Sequence, residues 1–303
     1  MTRVAILLAT MQGQRYLGEQ LASIVGQTHG EWTIHASDDG SGDATPAILE
    51  RHRARLGEDR LLLRVGPGRG PVANFLSLAC DAAIAADYYA FCDQDDVWEP
   101  DKLARAIAWL AQVPPSEPAL YCARTRTVDA DNRALGLSPL FGRPPAFANA
   151  LVQNIGGGNT MVFNHAACAL LRLAGSQVNV VSHDWWAYLL VSGCGGRVHY
   201  DAWPALRYRQ HAGSLVGPRN GWRARLRRAF KGRFRSWTDR HLVALQTMRA
   251  HLTPASRQQL DEFAAARGAG LWERLAGMRR SGVYRQTLAG SLWLWGAALL
   301  NRI

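Results

Sequence analysis

The chain has 303 residues, 48% of them hydrophobic and 19% charged, a composition typical of a globular protein with one large domain or two smaller ones. Its formal net charge of +11 predicts an anionic partner: a nucleic acid, a phosphorylated substrate or an acidic membrane surface. No apolar run reaches the roughly 20 residues of a spanning helix, and the N-terminus lacks the regions of a signal peptide. The five cysteines are widely spaced without a Cys-x-x-Cys pair, so neither a zinc site nor a disulfide framework is predicted.

Strand and helix patterns alternate in the first third of the chain. Buried-strand patterns cover 4–9, 32–37, 61–65 and 88–92, and helix patterns begin near residues 16, 43 and 74. This alternation predicts an α/β fold with a parallel sheet and right-handed crossovers. Because ligands bind at the carboxyl ends of the strands in such sheets, we expect Thr10, Asp39 and the acidic residues 93–96 to line one crevice.

The middle of the chain has less regular patterns. A strand is expected over 120–126, a loop over 133–150, and a glycine-rich bend that enters a strand over 155–163. A helix is expected over 182–192, followed by two short strand-like segments at 198–200 and 205–209. After about residue 214 the composition changes, because seven Arg or Lys and no acidic residue lie between Arg223 and Arg235.

Three carboxylates, Asp93, Asp95 and Asp96, crowd into four positions directly after the apolar strand pattern at 88–92. Like charges this close raise the cost of ionisation, and a cation among them offsets that cost. Carboxylate oxygens suit Mg²⁺ and Mn²⁺, and Mg²⁺ commonly binds through one or two carboxylates plus substrate phosphates. The cluster therefore predicts a site for a metal–diphosphate complex, with a solvated turn before a helix N-cap as the alternative.

Eight short motifs are distributed between residues 3 and 217. They lie at 8–10, 20–28, 37–41, 74–77, 91–98, 157–164, 183–186 and 208–211, and include Asp93-Gln94-Asp95-Asp96 and His183-Asp184-Trp185-Trp186. Together they resemble glycosyltransferase family 2, and most closely its bacterial rhamnosyltransferase-like branch. The resemblance implies a GT-A fold, which is Rossmann-like with a mostly parallel central sheet flanked by helices. It also implies sugar transfer from a dTDP- or UDP-sugar to an acceptor hydroxyl, with inversion at the anomeric carbon and with Mg²⁺ or Mn²⁺ as the cofactor.

The resemblance places the aspartates of the first half of the chain on the donor side. Asp95 would be the direct metal ligand, Asp93 would contact the donor ribose, and Asp96 would support the metal or the donor. Asp39, beside Thr10, would accept a hydrogen bond from the imide N–H of uracil or thymine. An Asp-Gly-Ser turn without function is the alternative for Asp39.

Three further residues are candidates for the donor and metal sites. Arg69 lies in a glycine-rich loop before Asn74, and both are candidate nucleotide contacts, although the loop has neither P-loop nor dinucleotide spacing. His211 is a candidate for completing the metal site, since a neutral imidazole binds Mn²⁺, with a structural role as the alternative.

The chain departs from the family pattern in the loop after Thr10. Family members usually carry an aromatic residue and an asparagine where this chain has Met11-Gln12.

The acceptor side contains the candidate general base. In the resemblance, Asp184 takes the proton from the acceptor hydroxyl as that oxygen attacks, while a helix cap is the alternative role. Glycines let a substrate approach the backbone closely. The acceptor side is expected to be shaped by Gly157, Gly158, Asn159 and Thr160. Trp185 and Trp186 either stack on a sugar or pack in the core.

The C-terminal region 218–303 is expected to be a helical, basic extension of a catalytic domain at 1–217. Leu226, Phe230 and Phe234 lie on one helical face among the cations, which predicts an interfacial helix on an anionic membrane. The apolar stretch 288–300 suits either an interface or packing on the catalytic domain. We expect a cytoplasmic protein, peripheral on the cytoplasmic face of the inner membrane. No nucleic-acid partner is expected, because no recognised nucleic-acid module is present.

The sequence thus predicts an inverting, metal-dependent glycosyltransferase. The donor would be dTDP-rhamnose, and the acceptor a glycan or lipid-linked saccharide in bacterial surface polysaccharide synthesis. The alternative is a nucleotide- or nucleic-acid-binding α/β protein without transfer activity. Only the enzyme needs Asp184 and the aspartate cluster together.

Overall fold

A computed structural model of the protein describes residues 2–210 and 233–303. Within these residues nine strands form one sheet, namely β1 (Val4–Thr10), β2 (Trp32–Asp38), β3 (Leu61–Val65), β4 (Tyr88–Cys92), β5 (Val97–Trp98), β6 (Ala119–Val128), β7 (Ala134–Leu137), β8 (Val162–Asn164) and β9 (Arg197–Arg209). Their order is β3-β2-β1-β4-β8-β6-β9-β5, and β7 pairs with β6 outside this path.

The first half of the sheet, β3-β2-β1-β4, is parallel throughout, as the strand–helix alternation predicted. All seven positions of β1 are buried, because helices cover both faces of the sheet there. Val4 pairs with Trp32 on one side and with Tyr88 on the other. This register brings the carboxyl ends of β1, β2 and β4 to one edge.

The second half of the sheet is mixed. β8 runs antiparallel to both β4 and β6, β5 runs antiparallel to β9, and β6 and β9 are parallel. The two predicted strand-like segments after residue 197 are one strand, β9. Its register against β6 shifts where Pro204 lies opposite Arg124, because proline has no N–H to donate to the ladder. The expected loop at 133–150 contains β7, whose four residues are all exposed.

Helices cover both faces of the sheet: α1 (Leu17–Val25), α2 (Thr45–Leu56), α3 (Pro71–Ala79), α4 (Lys102–Leu110), α5 (Phe147–Ala150), α6 (His165–Ala174), α7 (His183–Gly193), α8 (Arg233–Thr247), α9 (Pro254–Gly268), α10 (Leu271–Arg280) and α11 (Leu288–Leu299), with 3₁₀ turns at Gly158–Thr160 and Arg249–His251. On one face α1, α2 and α4 share a core with the sheet. On the other face α3, α6 and α7 share a core with the C-terminal helices. All five cysteines are free thiols.

The C-terminal helices pack on the sheet and on the helices that cover it. Trp186, Leu245, Phe263 and Leu294 belong to one continuous core. Phe234 is only 7% exposed, and its ring lies edge-on to Trp293 at 5.0 Å between centroids. The expectation that Phe234 faces lipid is therefore wrong, because its side chain is buried in the protein.

The other residues of that predicted interfacial helix, Leu226 and Phe230, lie outside the described residues, as does the expected domain boundary at 217/218. In the described parts of the chain no helix is long and apolar enough to cross a membrane.

Candidate active site

The predicted crevice lies at the edge where β1, β2 and β4 end. Gln94 joins the aspartate cluster to the loop after β1, because its Oε1 accepts from Met11 N–H and its Nε2 donates to Met11 C=O, both at 2.8 Å. A Cβ on Gly13 would lie 2.2 Å from Gln94 Oε1, so glycine is what lets this amide lie flat on the loop. Asp39 N–H donates to Thr10 C=O at 2.9 Å. The structure thus brings together the three sequence signals that were expected to meet.

The carboxylate of Asp39 closes the glycine-rich loop that precedes α3. Its Oδ1 accepts from Gly68 N–H and its Oδ2 from Gly70 N–H, both at 2.7 Å. Both glycines have positive φ angles, 65° and 85°, which other residues rarely adopt. Arg69 is exposed between them. Each Asp39 oxygen keeps a second lone pair, so the side chain retains the capacity to accept a further hydrogen bond.

Thr10 and Asn74 are buried behind the crevice. The Thr10 hydroxyl donates to Asp38 Oδ1 at 2.8 Å, and the Asn74 amide donates to Ser37 C=O at 2.9 Å. Asp38 also accepts from the N–H and the hydroxyl of Ser41, so its carboxylate fixes the turn after β2. The structure therefore places these side chains as supports for the strand ends.

The aspartate cluster contains two carboxyl groups whose ionisation is strongly disfavoured. Burial, followed by the charges of Asp96, Asp95 and Asp184, raises the pKa of Asp93 well above its usual range. Burial and the charge of Asp95 raise the pKa of Asp96 to about 7, although Asn159 and Arg209 donate hydrogen bonds to its carboxylate. The negative charge of the four acids is therefore only partly compensated by the protein.

Arg209, at the end of β9, holds the loop that carries Asp95. Its side chain is only 2% exposed. The guanidinium donates from Nε to the Asp95 carbonyl and from Nη1 to the Ala130 carbonyl, both at 3.0 Å, and from Nη2 to the Glu19 carboxylate. It also lies over the ring of Tyr16, 4.5 Å from the centroid. One buried cation thus fixes the loop against α1 and the β6–β7 turn.

Asp184, in the first turn of α7, lies close enough to the cluster for its charge to raise the pKa of Asp93. Its Oδ2 accepts from Gly158 N–H at 3.0 Å, and its Oδ1 accepts from Trp185 N–H at 2.7 Å. His183 stacks on Phe75 at 3.9 Å between ring centroids, and burial lowers its pKa to about 4. Among the described residues its Nε2 has no hydrogen-bond partner. A Cβ on Gly158 would lie 2.4 Å from that nitrogen, so the imidazole packs directly on the glycine.

Trp185 and Trp186 lie in the core. They are 7% and 0% exposed, and Trp185 Nε1 donates to Ala150 C=O at 2.6 Å. The sequence left open whether these tryptophans stack on a sugar or pack in the core, and in this structure they pack in the core.

The 3₁₀ turn Gly158–Thr160 connects the two sides of the site. Gly158 N–H bonds Asp184, and the next residue, Asn159, donates from its side chain to Asp96 Oδ2. The turn is closed by Thr160, whose hydroxyl donates to Gly157 C=O at 2.8 Å. Asn159 and Thr160 are 3% and 0% exposed, so this turn is a rigid support within the site. His211 lies outside the described residues.

Comparison with known proteins identifies the family. The family model described as Glycosyl transferase family 2 matches residues 5–174, which is more than half of the chain. The chain belongs to glycosyltransferase family 2. It is therefore a glycosyltransferase, and the resemblance stated from the sequence motifs is confirmed.

Relatives of this family 2 enzyme include a curated protein from Shigella flexneri named dTDP-rhamnosyl transferase RfbG. The two are 27% identical over 234 residues, which cover 73% of this chain and 77% of the relative. A putative glycosyltransferase from Bacillus subtilis, EpsE, is 29% identical over 108 residues, 36% of this chain and 38% of the relative.

Solved structures with the same GT-A fold confirm the predicted fold class. S. aureus TarS 1–349 in complex with UDP has a TM-score of 0.57 at 15% identity, over 85% of this chain and 69% of that chain. The mannosyltransferase PcManGT from Pyrobaculum calidifontis, in complex with GDP-Man and Mn²⁺, has a TM-score of 0.51 at 20% identity, over 99% and 86%.

The donor set of the family 2 site fits a metal ion that is shared with a substrate. Among the described residues no group of three or more His, Cys, Asp or Glu is placed to hold a metal ion by itself. The aspartate cluster nevertheless supplies hard oxygen atoms whose mutual repulsion a cation would relieve. Mg²⁺ commonly takes one or two carboxylates and completes its shell with phosphates and water, which agrees with this incomplete protein ligand set.

Two buried cations of this family 2 site were not identified from the sequence. Arg209 was noted only as part of a motif, and Lys102 was not noted at all. Lys102 is fully buried, its Nζ lies 3.4 Å from the centroid of the Trp98 ring, and burial lowers its pKa to about 7. The charges of Cys92 and Asp96 act in the opposite direction and raise it. Lysine is almost never fully buried unless it is paired, so a sequence pattern gives no reason to expect a buried lysine at this position.

Proposed function

We propose that this glycosyltransferase is an inverting, metal-dependent enzyme that moves a sugar from a nucleoside diphosphate donor to a hydroxyl group. The observation that carries the proposal is the Gly158–Thr160 turn, in which consecutive residues bond Asp184 and Asp96. An inverting transfer needs one group at the leaving diphosphate and another at the attacking hydroxyl. A single rigid turn fixes a candidate for each of them.

Asp184 is the general base in this proposal. It takes the proton from the acceptor hydroxyl while the hydroxyl oxygen attacks the anomeric carbon from the face opposite the diphosphate. A new bond forms between this oxygen and the anomeric carbon, the bond to the diphosphate oxygen breaks, and the diphosphate leaves with that electron pair. The Gly158 N–H orients the carboxylate by bonding Oδ2, and neither oxygen exhausts its lone pairs.

Asp95, supported by Asp96, would hold a divalent ion, and His211 is a further candidate ligand. When bound, Mg²⁺ or Mn²⁺ neutralises the charge that develops on the leaving diphosphate. Asp93 is also the candidate contact for the donor ribose. Arg209 and Asn159 keep these carboxylates in place through the contacts to the Asp95 carbonyl and to Asp96.

The proposed donor is dTDP-rhamnose, or another dTDP- or UDP-sugar. The name of the Shigella flexneri relative supports rhamnose, and its match covers most of both chains. Asp39 is proposed to accept the imide N–H of the base, with Thr10 supporting it. Arg69, on the adjoining loop, is the proposed contact for the nucleotide, and Asn74 of α3 supports the nucleotide side from beneath through its bond to Ser37 C=O.

The proposed acceptor is a glycan or lipid-linked saccharide in bacterial surface polysaccharide synthesis. Gly157, Gly158, Asn159 and Thr160 form the proposed acceptor side, behind which Trp185 and Trp186 pack. We place the enzyme on the cytoplasmic face of the inner membrane as a peripheral protein, where its net charge of +11 favours an anionic surface. Residues 1–217 form the proposed catalytic domain, and residues 218–303 the basic helical region.

Donor turnover by the full-length protein tests this function. Nucleotide sugars, dTDP-rhamnose first, are incubated with Mn²⁺ or with a chelator, and released nucleoside diphosphate is measured. Asp184→Asn should retain donor binding and lose about 10²–10⁴-fold in transfer rate, whereas Asp101→Asn, an exposed position without a side-chain cap, should retain both.

Two results would count against the proposal. If no nucleotide sugar is bound or turned over, the transfer function fails and the alternative of a binding protein without transfer gains support. If Asp184→Asn abolishes donor binding, Asp184 belongs to the nucleotide site and is not the base.

A further inference from the structure

Helix α11 exposes an apolar face that nothing in the described structure covers. Leu288, Leu292 and Leu299 are 78%, 65% and 56% exposed, and the half-buried Trp295 lies between them at helical spacing. We call these four residues the α11 apolar face. The opposite side of the helix is anchored, because Leu294, Ala297 and Ala298 are buried in the core.

The neighbourhood of the α11 apolar face adds apolar bulk. Arg274 of α10 donates to the Ala298 carbonyl at 2.9 Å, which fastens the start of α10 to the end of α11. At that start Trp272 is 80% exposed and Leu271 is 41% exposed. A helix side with this many exposed large apolar residues marks an interaction surface, since isolated exposed leucines need no such explanation.

The charge around the α11 apolar face is positive. Residues 281–303 contain two arginines and no acidic residue. The chain enters α8 beside the same helix, because Phe234 packs on Trp293 and Arg235 Nη1 donates to the Asn301 carbonyl at 3.3 Å. By sequence, this entry point is the end of the basic run Arg223–Arg235, most of which lies outside the described residues.

We propose that the α11 apolar face is where this protein contacts a bilayer that contains anionic lipid. The inference rests on the peripheral location given under the proposed function and identifies the surface responsible for it. Helix α11 lies in the plane of the membrane, with the leucines among the acyl chains and the neighbouring arginines at the anionic head groups. Its 12 residues are too few to span.

A second copy of the chain is the competing occupant of this face. Pairing two copies through α11 would bring together two chains that each carry a net charge of +11, and like charges repel. An anionic bilayer supplies the opposite charge and an apolar layer at once, which is why the membrane is favoured.

Vesicle flotation of the full-length protein tests the assignment. The probes are vesicles of phosphatidylcholine alone and of phosphatidylcholine with phosphatidylglycerol, at low and high salt. The test variant is Leu288→Gln with Leu292→Gln, and the matched control is Leu135→Gln with Leu137→Gln on β7, where the leucines are 56% and 47% exposed.

We expect wild type and the β7 control to float with the anionic vesicles within about twofold of each other, and the α11 variant to bind at least about tenfold less. High salt should weaken wild-type binding severalfold. Equal flotation of the α11 variant and wild type, or equal binding to neutral and anionic vesicles, overturns the proposal. So does sedimentation velocity showing a dimer that the α11 variant dissociates, together with no flotation.

Donor turnover measured on the same samples separates this inference from the proposed function. The α11 variant should turn over donor in solution at the wild-type rate, because α11 contributes no residue to the site. Wild-type protein that floats but uses no nucleotide sugar would refute the transfer function alone. Wild-type protein that turns over donor but does not float would refute the membrane contact alone.

Discussion

Replacing Gly158 by alanine tests whether the 3₁₀ turn positions the proposed base. The new Cβ would lie 2.4 Å from Nε2 of His183 and 3.2 Å from Cβ of Asp184, and ordinary contacts begin at 3.4 Å. The imidazole must therefore move by about 1 Å and the Asp184 Cβ by a few tenths of an ångström, and we expect the hydrogen bond from Gly158 to Asp184 to lengthen. A displacement of about 1 Å in a catalytic group costs on the order of 10²-fold in rate, or about 2.7 kcal/mol of activation free energy.

The assay is steady-state transfer by Gly158→Ala beside Gly30→Ala. A Cβ on Gly30 meets nothing within 4 Å, so the control makes the same chemical change without the contact. We expect the turnover number of Gly158→Ala to fall about 10²-fold and its KM for the donor to change less than twofold. Overpacking costs about 1–3 kcal/mol of stability, so chemical unfolding must show that the assayed variant is folded. A folded Gly158→Ala enzyme with a turnover number within threefold of the control would refute the reasoning.

Three further predictions concern stability, pH and metal. Arg209→Lys removes the planar fork that bonds Asp95 and Glu19, and chemical denaturation should show a loss of about 3 kcal/mol; a loss under about 1 kcal/mol would contradict the role. Burial lowers the pKa of His241 to about 4, below the ordinary 6.5, so the folded state disfavours its protonation. The stabilisation that depends on neutral His241 should therefore be complete above about pH 6.5 and smaller by about 2 kcal/mol at pH 5, and His241→Gln should remove that part of the fall in stability; an unchanged pH profile in that variant would refute the cause. A chelator should abolish turnover, which Mn²⁺ restores, yet barely change the unfolding midpoint of donor-free protein. A large shift of that midpoint would indicate a resident ion instead of one shared with substrate.

The parallel half of the sheet and the position of the site could be predicted from the sequence because the signals are local. Residues 4–9 form an unbroken apolar run, and such runs are typical of strands buried on both faces. The acidic residues follow the apolar run of β4, which is the neighbour of β1 in the sheet. A parallel sheet therefore brings them close to Thr10 at the end of β1.

The parts that sequence reasoning missed depend on partners far apart in the chain. Arg209 bonds Glu19 across 190 residues and the Asp95 carbonyl across 114, and no local pattern encodes such pairs. β7 was missed because its four residues are exposed and show no buried-strand pattern. What makes the segment a strand is its pairing with β6, which the local sequence does not show. The sequence predicted two short segments in place of β9, and Pro204 lies between them, a residue that is typical of a strand end. In the structure the strand continues past Pro204 through a shift in its register against β6.

The core shared by the sheet and the C-terminal helices has a practical consequence for expressing shortened forms of this protein. Trp185 packs edge-on against His241 at 4.6 Å and against Trp237 at 6.5 Å, and both partners lie well beyond residue 174, where the family match ends. Truncation at that point would remove Asp184 and Arg209, and truncation at 217 would uncover Trp185, which follows the proposed base in α7. The smallest soluble unit worth producing therefore includes α8–α11.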